Sequence, residues 1–230
     1  MTDKKNILHI IPAAGKATRF GGIPKFLLPI STNNFLIKFH VDNIKIKNCN
    51  IKKVIAVSNE YYETIKRMGL DADILKLDTK TMNETVLEVI KKYKNFDNYL
   101  LSMPDSFFDR SIINTIYKEY LKNNSLCTLG LFKIQNFQKG KLGQCSIKNN
   151  NVVKVVDKDR ECDFEHAWGV MMWNKKLNNL IKKDDPHTGY ILNPAIKNKI
   201  SINYAISTNQ YYDCGTFEEY KELLKEPIIV

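Results

Sequence analysis

Short apolar runs alternate along this chain with segments whose apolar positions recur every three or four residues. Residues 6–11 (NILHII), 53–58 (KVIAVS), 72–77 (ADILKL), 98–103 (NYLLSM) and 126–132 (LCTLGLF) are apolar and partly β-branched, as strands covered on both faces require. Between them, Val86, Val89, Ile90 and Tyr93 fall at i, i+3, i+4 and i+7, and Ile112, Ile113, Ile116, Tyr117, Tyr120 and Leu121 form a broad stripe. Residues 33–46 and 59–68 are weaker patterns of the same helical kind. Strand alternating with helix predicts an α/β fold: a mostly parallel central sheet with helices on both faces and ligand sites at the carboxyl ends of its strands.

After Lys133 the rhythm changes. Residues 143–158 (GQCSIKNNNVVKVVDK) read as two strands around an Asn-rich turn, a hairpin signal. An apolar run at 167–173, helix-like stretches near 173–183 and 190–198, a strand at 201–207 and a closing helix at 216–224 follow. Thr216 and Glu219 have capping-box spacing at the start of that helix. Neither a repeat nor a linker interrupts the chain, so residues 1–230 are expected to form one domain, with 1–133 as its core half and 134–230 as a smaller hairpin-containing lobe.

Composition narrows the class. A hydrophobic content of 43% is enough for a full core, which argues against disorder. The net charge of +10 suits an anionic partner, but the lysines are scattered and no aromatic-basic interleaving accompanies them, so nucleic acid is not expected. The five cysteines, Cys49, Cys127, Cys145, Cys162 and Cys214, are odd in number and form no C-x-x-C pair, which predicts reduced thiols. No window approaches the ~20 apolar residues of a membrane span and no signal-like segment opens the chain, so the expectation is a cytoplasmic protein without a membrane partner.

The candidate chemistry begins in residues 9–30, HIIPAAGKATRFGGIPKFLLPI. Ala13, Ala14, Gly15, Lys16 and Ala17 are small or flexible enough for backbone N–H groups to approach a phosphate, with Arg19 and Lys25 adding charge. The spacing is neither that of a Walker loop nor that of a dinucleotide fingerprint. On these residues alone, a flexible surface loop with solvated basic side chains explains the stretch nearly as well.

Four ordered motifs carry a resemblance. The stretch IIPAAGKATRFGGIPKFLLPI is similar to the signature of the sugar-1-phosphate nucleotidylyltransferases, LLSMPDSFFD (100–109) to their strand ending in G-D-x-x-F, and QYYDCGTFEEYKEL (210–223) to their W-x-D-x-G-T-P-E-E-Y segment. The hairpin at 143–158 resembles their acceptor hairpin, which ends in E-K. Ala17 stands where that family has a second Gly, Pro104 where it has Gly, and Asp157 where it has Glu. The resemblance implies a Rossmann-like nucleotidyltransferase fold, with nucleotide bound by residues 1–133 and acceptor by 134–230. It implies Mg²⁺-dependent transfer of a nucleotidyl group, UTP or dTTP favoured, to a sugar 1-phosphate with release of pyrophosphate, by a monomer or a homo-oligomer.

Two polyanions must meet in such a reaction, so charge neutralisation and alignment carry the catalysis. The resemblance places Arg19 on the leaving pyrophosphate, Lys25 on the α-phosphate, and Asp105 and Asp213 on Mg²⁺, whose ligands are carboxylate, phosphate and water oxygens. Lys158 would meet the sugar phosphate and Asp157 the sugar hydroxyls, with Gly143 and Gly169 on the same pocket wall. Asn83 is a candidate base contact in TMNETVLEVI (81–90), where Thr81 and Glu84 equally suit a capping box. His166 and His187 sit in the acceptor half and could touch substrate, but a lone histidine reads first as structural, and Trp168 and Trp173 read as core or pocket wall. A cytidylyltransferase acting on phosphocholine or another non-sugar phosphate, and a non-enzymatic nucleotide-fold regulator, are the alternatives.

Overall fold

The computed structural model describes residues 4–15, 20, 22–42, 44–122 and 125–226, so Lys16, Ala17 and Arg19 lie outside the described residues. In chain order the first half runs β1 (Lys5–Ala13), β2 (Pro29–Ser31), β3 (Asn34–Phe35), α1 (Leu36–Val41), β4 (Cys49–Val57), α2 (Tyr62–Arg67), β5 (Asp73–Lys76), α3 (Met82–Lys92), β6 (Asn98–Ser102), β7 (Ser106–Phe108) and α4 (Ser111–Leu121). The second half runs β8 (Cys127–Lys133), β9 (Gly143–Lys148), β10 (Asn151–Asp157), β11 (His166–Asn174), α5 (Leu192–Lys197), β12 (Ile202–Ile206), β13 (Tyr211–Asp213) and α6 (Phe217–Leu224). The helix-like stretch near 173–183 is a short 3-10 helix, Lys175–Leu180.

One mixed sheet dominates, in the order β10-β9-β11-β6-β1-β4-β5, with β8 attached to β11 and β12 to β8. Strands β6, β1, β4 and β5 are parallel, and β11 joins antiparallel to β6. The parallel half is thus the expected α/β core, and antiparallel pairing begins at β11 and includes β8. Along β1 the side chains alternate between faces. Ile7 packs with α4 residues such as Ile112 and Ile116, whereas Leu8 and Ile10 pack with Val86 and Val89 of α3. Each such fully buried side chain contributes about 1.5–3 kcal/mol of apolar burial. The hairpin closes as its sequence predicts: Asn149 and Asn150 both have positive φ, 49° and 58°, as a two-residue turn between twisted strands demands.

Four short strands escape the sequence pattern: β2 and β3, which pair with each other and shorten the helix expected over 33–46 to Leu36–Val41, and β7 and β13. Strands β7 and β13 are three residues each and form their own antiparallel ribbon, pairing Asp213 with Ser106. This ribbon lies over the carboxyl end of β6 and ties the last segment of the chain to the strand ends of the core.

Candidate active site

The strand ends define two adjoining clefts. The first, of ≈ 240 Å³, has Ala13, Ala14 and Gly15 after β1 on one side and Thr79 to Met82 at the start of α3 on the other. The second, of ≈ 400 Å³, is bordered by Gly143, Asp157 and Lys158 of the hairpin, by Trp168, and by Tyr211 and Asp213 of the ribbon. Lys25, Met82, Met103 and Asp105 line both. The two clefts therefore meet at a lysine and an aspartate.

The position of Asp105 follows from the turn after β6. Ser106 N–H and Ser106 Oγ both donate to the Met103 carbonyl, at 3.2 Å and 2.8 Å, and close that turn. Behind it lies a buried polar relay. His40 Nε2 is 2.7 Å from the Ser106 carbonyl, which can only accept, so this nitrogen carries the proton. His40 Nδ1 then accepts from Ser102 Oγ at 3.0 Å, and the hydroxyl in turn accepts from His9 Nε2 at 2.8 Å. Burial holds both rings neutral, lowering His9 to about 3 and His40 to about 4. The relay connects β1, which leads into the Ala13–Gly15 segment, to the Asp105 turn.

Charge is concentrated where the clefts meet. Lys25 Nζ lies 3.2 Å from Asp105 Oδ2. The Asp213 carboxyl, open to the cleft on one side and enclosed by protein on the others, is pushed up to about 7 by burial, then by Asp105 and by Glu219. Lys25 and Lys158 oppose that shift without cancelling it. Glu219 is itself buried, accepting from Thr216 N–H at 3.0 Å as the expected capping box and pairing with Lys141 Nζ at 3.4 Å. Among the described residues no group of three or more His, Cys, Asp and Glu side chains forms a metal cage. Asp213, short of counter-charge, and Asp105, with one lysine partner, nevertheless suit Mg²⁺, which takes few protein ligands and completes its shell with phosphate and water oxygens.

The second cleft contains a residue that the sequence left aside as structural. His187 Nε2 lies 3.2 Å from Asp157 Oδ1, and this partner holds the Asp157 carboxyl below its ordinary range. Trp168 also borders this cleft, its indole lying against Gly143, where a Cβ would sit 2.3 Å from Nε1. Trp173, in contrast, is core, donating to Asn178 Oδ1 at 2.9 Å. Histidines and tryptophans scattered through a lobe carry no spacing signal, and only the fold-back of 182–187 onto the hairpin distinguishes these.

Two candidates lie away from the clefts. Gly169 is covered by the Tyr211 ring, whose Cε2 would be 2.3 Å from a Cβ there, so its missing side chain makes room for the ribbon, not for a ligand. Asn83 is 0% exposed, and its Nδ2 donates to the Lys182 carbonyl at 3.0 Å. The cleft-facing residues beside it are Thr79, Lys80, Thr81, Met82 and Thr85. Thr81 caps α3 by accepting from Glu84 N–H at 3.0 Å, but the Glu84 carboxylate turns to Lys80 N–H, so only half of the capping box forms. Gly143, Asp157 and Lys158 border the second cleft, and Ala13, Ala14 and Gly15 the first.

No protein-family profile matches the chain. It is 24% identical over 179 residues to a 3-deoxy-manno-octulosonate cytidylyltransferase of Wigglesworthia glossinidia brevipalpis, covering 76% of this chain and 70% of that one. The fold is similar to that of a Bacillus anthracis protein described as a glucose-1-phosphate thymidylyltransferase, with a TM-score of 0.80, 19% identity and 97% of both chains covered. It is also similar to an inositol-1-phosphate CTP transferase of T. maritima, with a TM-score of 0.71, 17% identity and coverage of 97% and 98%. A UDP-glucose pyrophosphorylase complexed with UDP-glucose matches at a TM-score of 0.74, with 19% identity and coverage of 96% and 97%. The expected Rossmann-like nucleotidyltransferase fold is thereby shown over nearly the whole chain.

Proposed function

We propose that this protein transfers a nucleotidyl group from a pyrimidine nucleoside triphosphate to a sugar phosphate or a related acceptor, releasing pyrophosphate. The observation that carries this reading is the shared wall of the two clefts. A donor bound along Ala13–Gly15 and an acceptor bound beside Lys158 would meet at Lys25, Asp105 and Asp213. Names attached to similar proteins support the same chemistry, and each of them implies a pyrimidine donor.

The chain's own residues divide the work by charge. Lys25, paired with Asp105, would exchange that partner for an α-phosphate oxygen and stabilise the charge that grows there in the transition state. Asp105 and Asp213 would hold Mg²⁺, which supplies charge neutralisation and alignment of phosphate oxygens when bound. Lys158 would neutralise the acceptor phosphate, and the His187–Asp157 pair would orient the rest of the acceptor. We assign the leaving pyrophosphate to Arg19 and further backbone contact with the triphosphate to Lys16. Alignment of two anions otherwise repelled by each other accounts for most of the required rate enhancement.

UTP and dTTP remain our favoured donors, with CTP as the second reading because two of the similar proteins carry names that specify cytidylyl transfer or CTP. The deciding experiment is a matrix of UTP, dTTP, CTP, ATP and GTP against glucose 1-phosphate, inositol 1-phosphate, 3-deoxy-manno-octulosonate and phosphocholine, read by pyrophosphate release with Mg²⁺. Release confined to one pyrimidine and one acceptor is the expected result, and no release from any pair overturns the assignment.

A further inference from the structure

The first turn of α3, which borders the donor cleft, is fastened to a segment that ends in the acceptor cleft. Met82 N–H donates to the Pro186 carbonyl at 3.2 Å, Asn83 Nδ2 to the Lys182 carbonyl at 3.0 Å, and Thr81 Oγ1 to the Lys183 carbonyl at 2.5 Å. A first-turn N–H that α3 cannot satisfy internally is thus satisfied by the segment. One residue after Pro186 comes His187, whose Nε2 lies 3.2 Å from Asp157 Oδ1, both residues bordering the second cleft. These three hydrogen bonds end on backbone carbonyls, and Lys183 Nζ adds an ion pair to Glu84 at 2.9 Å, so what they fix is the path of residues 182–186 and hence the place where His187 emerges.

Asn83 is the informative member. It is fully buried, its amide nitrogen is committed to the segment, and its Oδ1 finds no partner among the described residues. Burying an amide oxygen without a partner costs about 1–3 kcal/mol. An apolar side chain of the same size would avoid that cost but would lose the bond to Lys182. Holding the segment is therefore the property that this asparagine adds, and no atom of it borders the donor cleft.

We infer that residues 182–187 are a strap positioning His187 against Asp157, and that Asn83 is a positioning residue for the acceptor instead of a contact for the base. This rests on the nucleotidyl-transfer reading above.

The test uses Asn83→Leu, which keeps the number and branching of the side-chain heavy atoms, and Pro186→Gly, which loosens the strap at an exposed position. With the nucleotide and acceptor of highest turnover in the matrix, Asn83→Leu is expected to raise the acceptor KM roughly tenfold, the scale of one buried hydrogen bond, with the nucleotide KM unchanged within about twofold. Pro186→Gly should move the acceptor KM in the same direction. In a His187→Ala background the Asn83→Leu effect should vanish, since the asparagine acts through that histidine. Long-range ¹H–¹⁵N spectra of the imidazole, recorded without substrates, should show one fixed Nε2–H tautomer for His187 in the parent and an averaged one in Asn83→Leu. A raised nucleotide KM with the acceptor KM unmoved, full additivity with His187→Ala, or an unchanged imidazole spectrum would each overturn the strap. If no pair in the matrix turns over, the functional reading fails, while the imidazole spectra still decide the link between Asn83 and His187.

Discussion

The backbone N–H of Cys214 donates to the carbonyl of Asp105 at 2.9 Å, extending the ribbon in which Asp213 pairs with Ser106. This contact brings into one cleft two carboxylates that lie more than a hundred positions apart in the sequence. Neither aspartate could hold a divalent cation well by itself.

Asp105→Asn and Asp213→Asn are each expected to lower Mg²⁺-dependent turnover by about 10²–10³ while leaving the circular dichroism spectrum intact. Asp213→Asn also removes a buried like charge, so its metal-free Tm should rise above that of the parent. Thermal shift adds a readout independent of turnover: Mg²⁺ should raise the Tm of the parent, and either variant should abolish that shift. Full activity in one of the two variants would break the two-aspartate site.

Lys25→Ala should reduce turnover by a similar factor, about 10²–10³, because the lysine sits where donor and acceptor clefts meet. Arg19→Ala tests the pyrophosphate assignment in the same assay. Lys25→Arg is expected to recover only part of the rate, since a planar guanidinium cannot replace a compact ammonium beside Asp105. Near-parental turnover in Lys25→Ala would remove this residue from the mechanism.

Stability should depend on pH through the buried histidines. His9 and His40 are held at about 3 and about 4, below the ordinary 6.5. Above pH 6.5 neither state binds the extra protons on these rings and their contribution is level, while Asp213, held at about 7, adds one opposite slope, gaining stability as pH falls through that value and so offsetting one of the two rings. As pH falls below 6.5 the unfolded chain takes up two protons that the native rings refuse, so their contribution drops by up to about 1.4 kcal/mol per pH unit for each ring until the native values are reached. Urea midpoints at pH 7.5, 6.0 and 5.0 measure this, and His9→Gln or His40→Gln should flatten the profile. A parent midpoint independent of pH across that range would contradict the neutral relay.

Lys158→Ala should raise the acceptor KM strongly and leave the nucleotide KM little changed. Lys158 has φ of 53°, a left-handed conformation at the end of β10 that aims the hairpin end at the second cleft. Michaelis constants for both substrates at saturating partner decide the matter. An unmoved acceptor KM would shift the phosphate subsite toward Lys141, which borders the same cleft.

The sequence by itself determined the α/β core, because apolar runs and helical stripes are local patterns read from neighbouring residues. It also determined the 149–150 hairpin turn, the Thr216 cap, and the cleft-lining segments at Ala13–Gly15, Lys25 and Asp105, where strand ends and short motifs coincide. What only the tertiary structure decided is what those residues face. Ribbon β7–β13 is three residues per strand, too short for a periodic signal, yet it joins Asp105 to Asp213. Asn83 looked like a base contact because it opens a helix in the right place; contacts with residues 182–186, nearly a hundred positions away, bury it instead. Gly169 looked like room for a sugar, and the Tyr211 ring fills that room. His187 carried no pattern at all, since its partner Asp157 lies thirty positions earlier on a separate hairpin. Local periodicity records what each segment buries, whereas the choice of which polar group meets which is made by long-range packing.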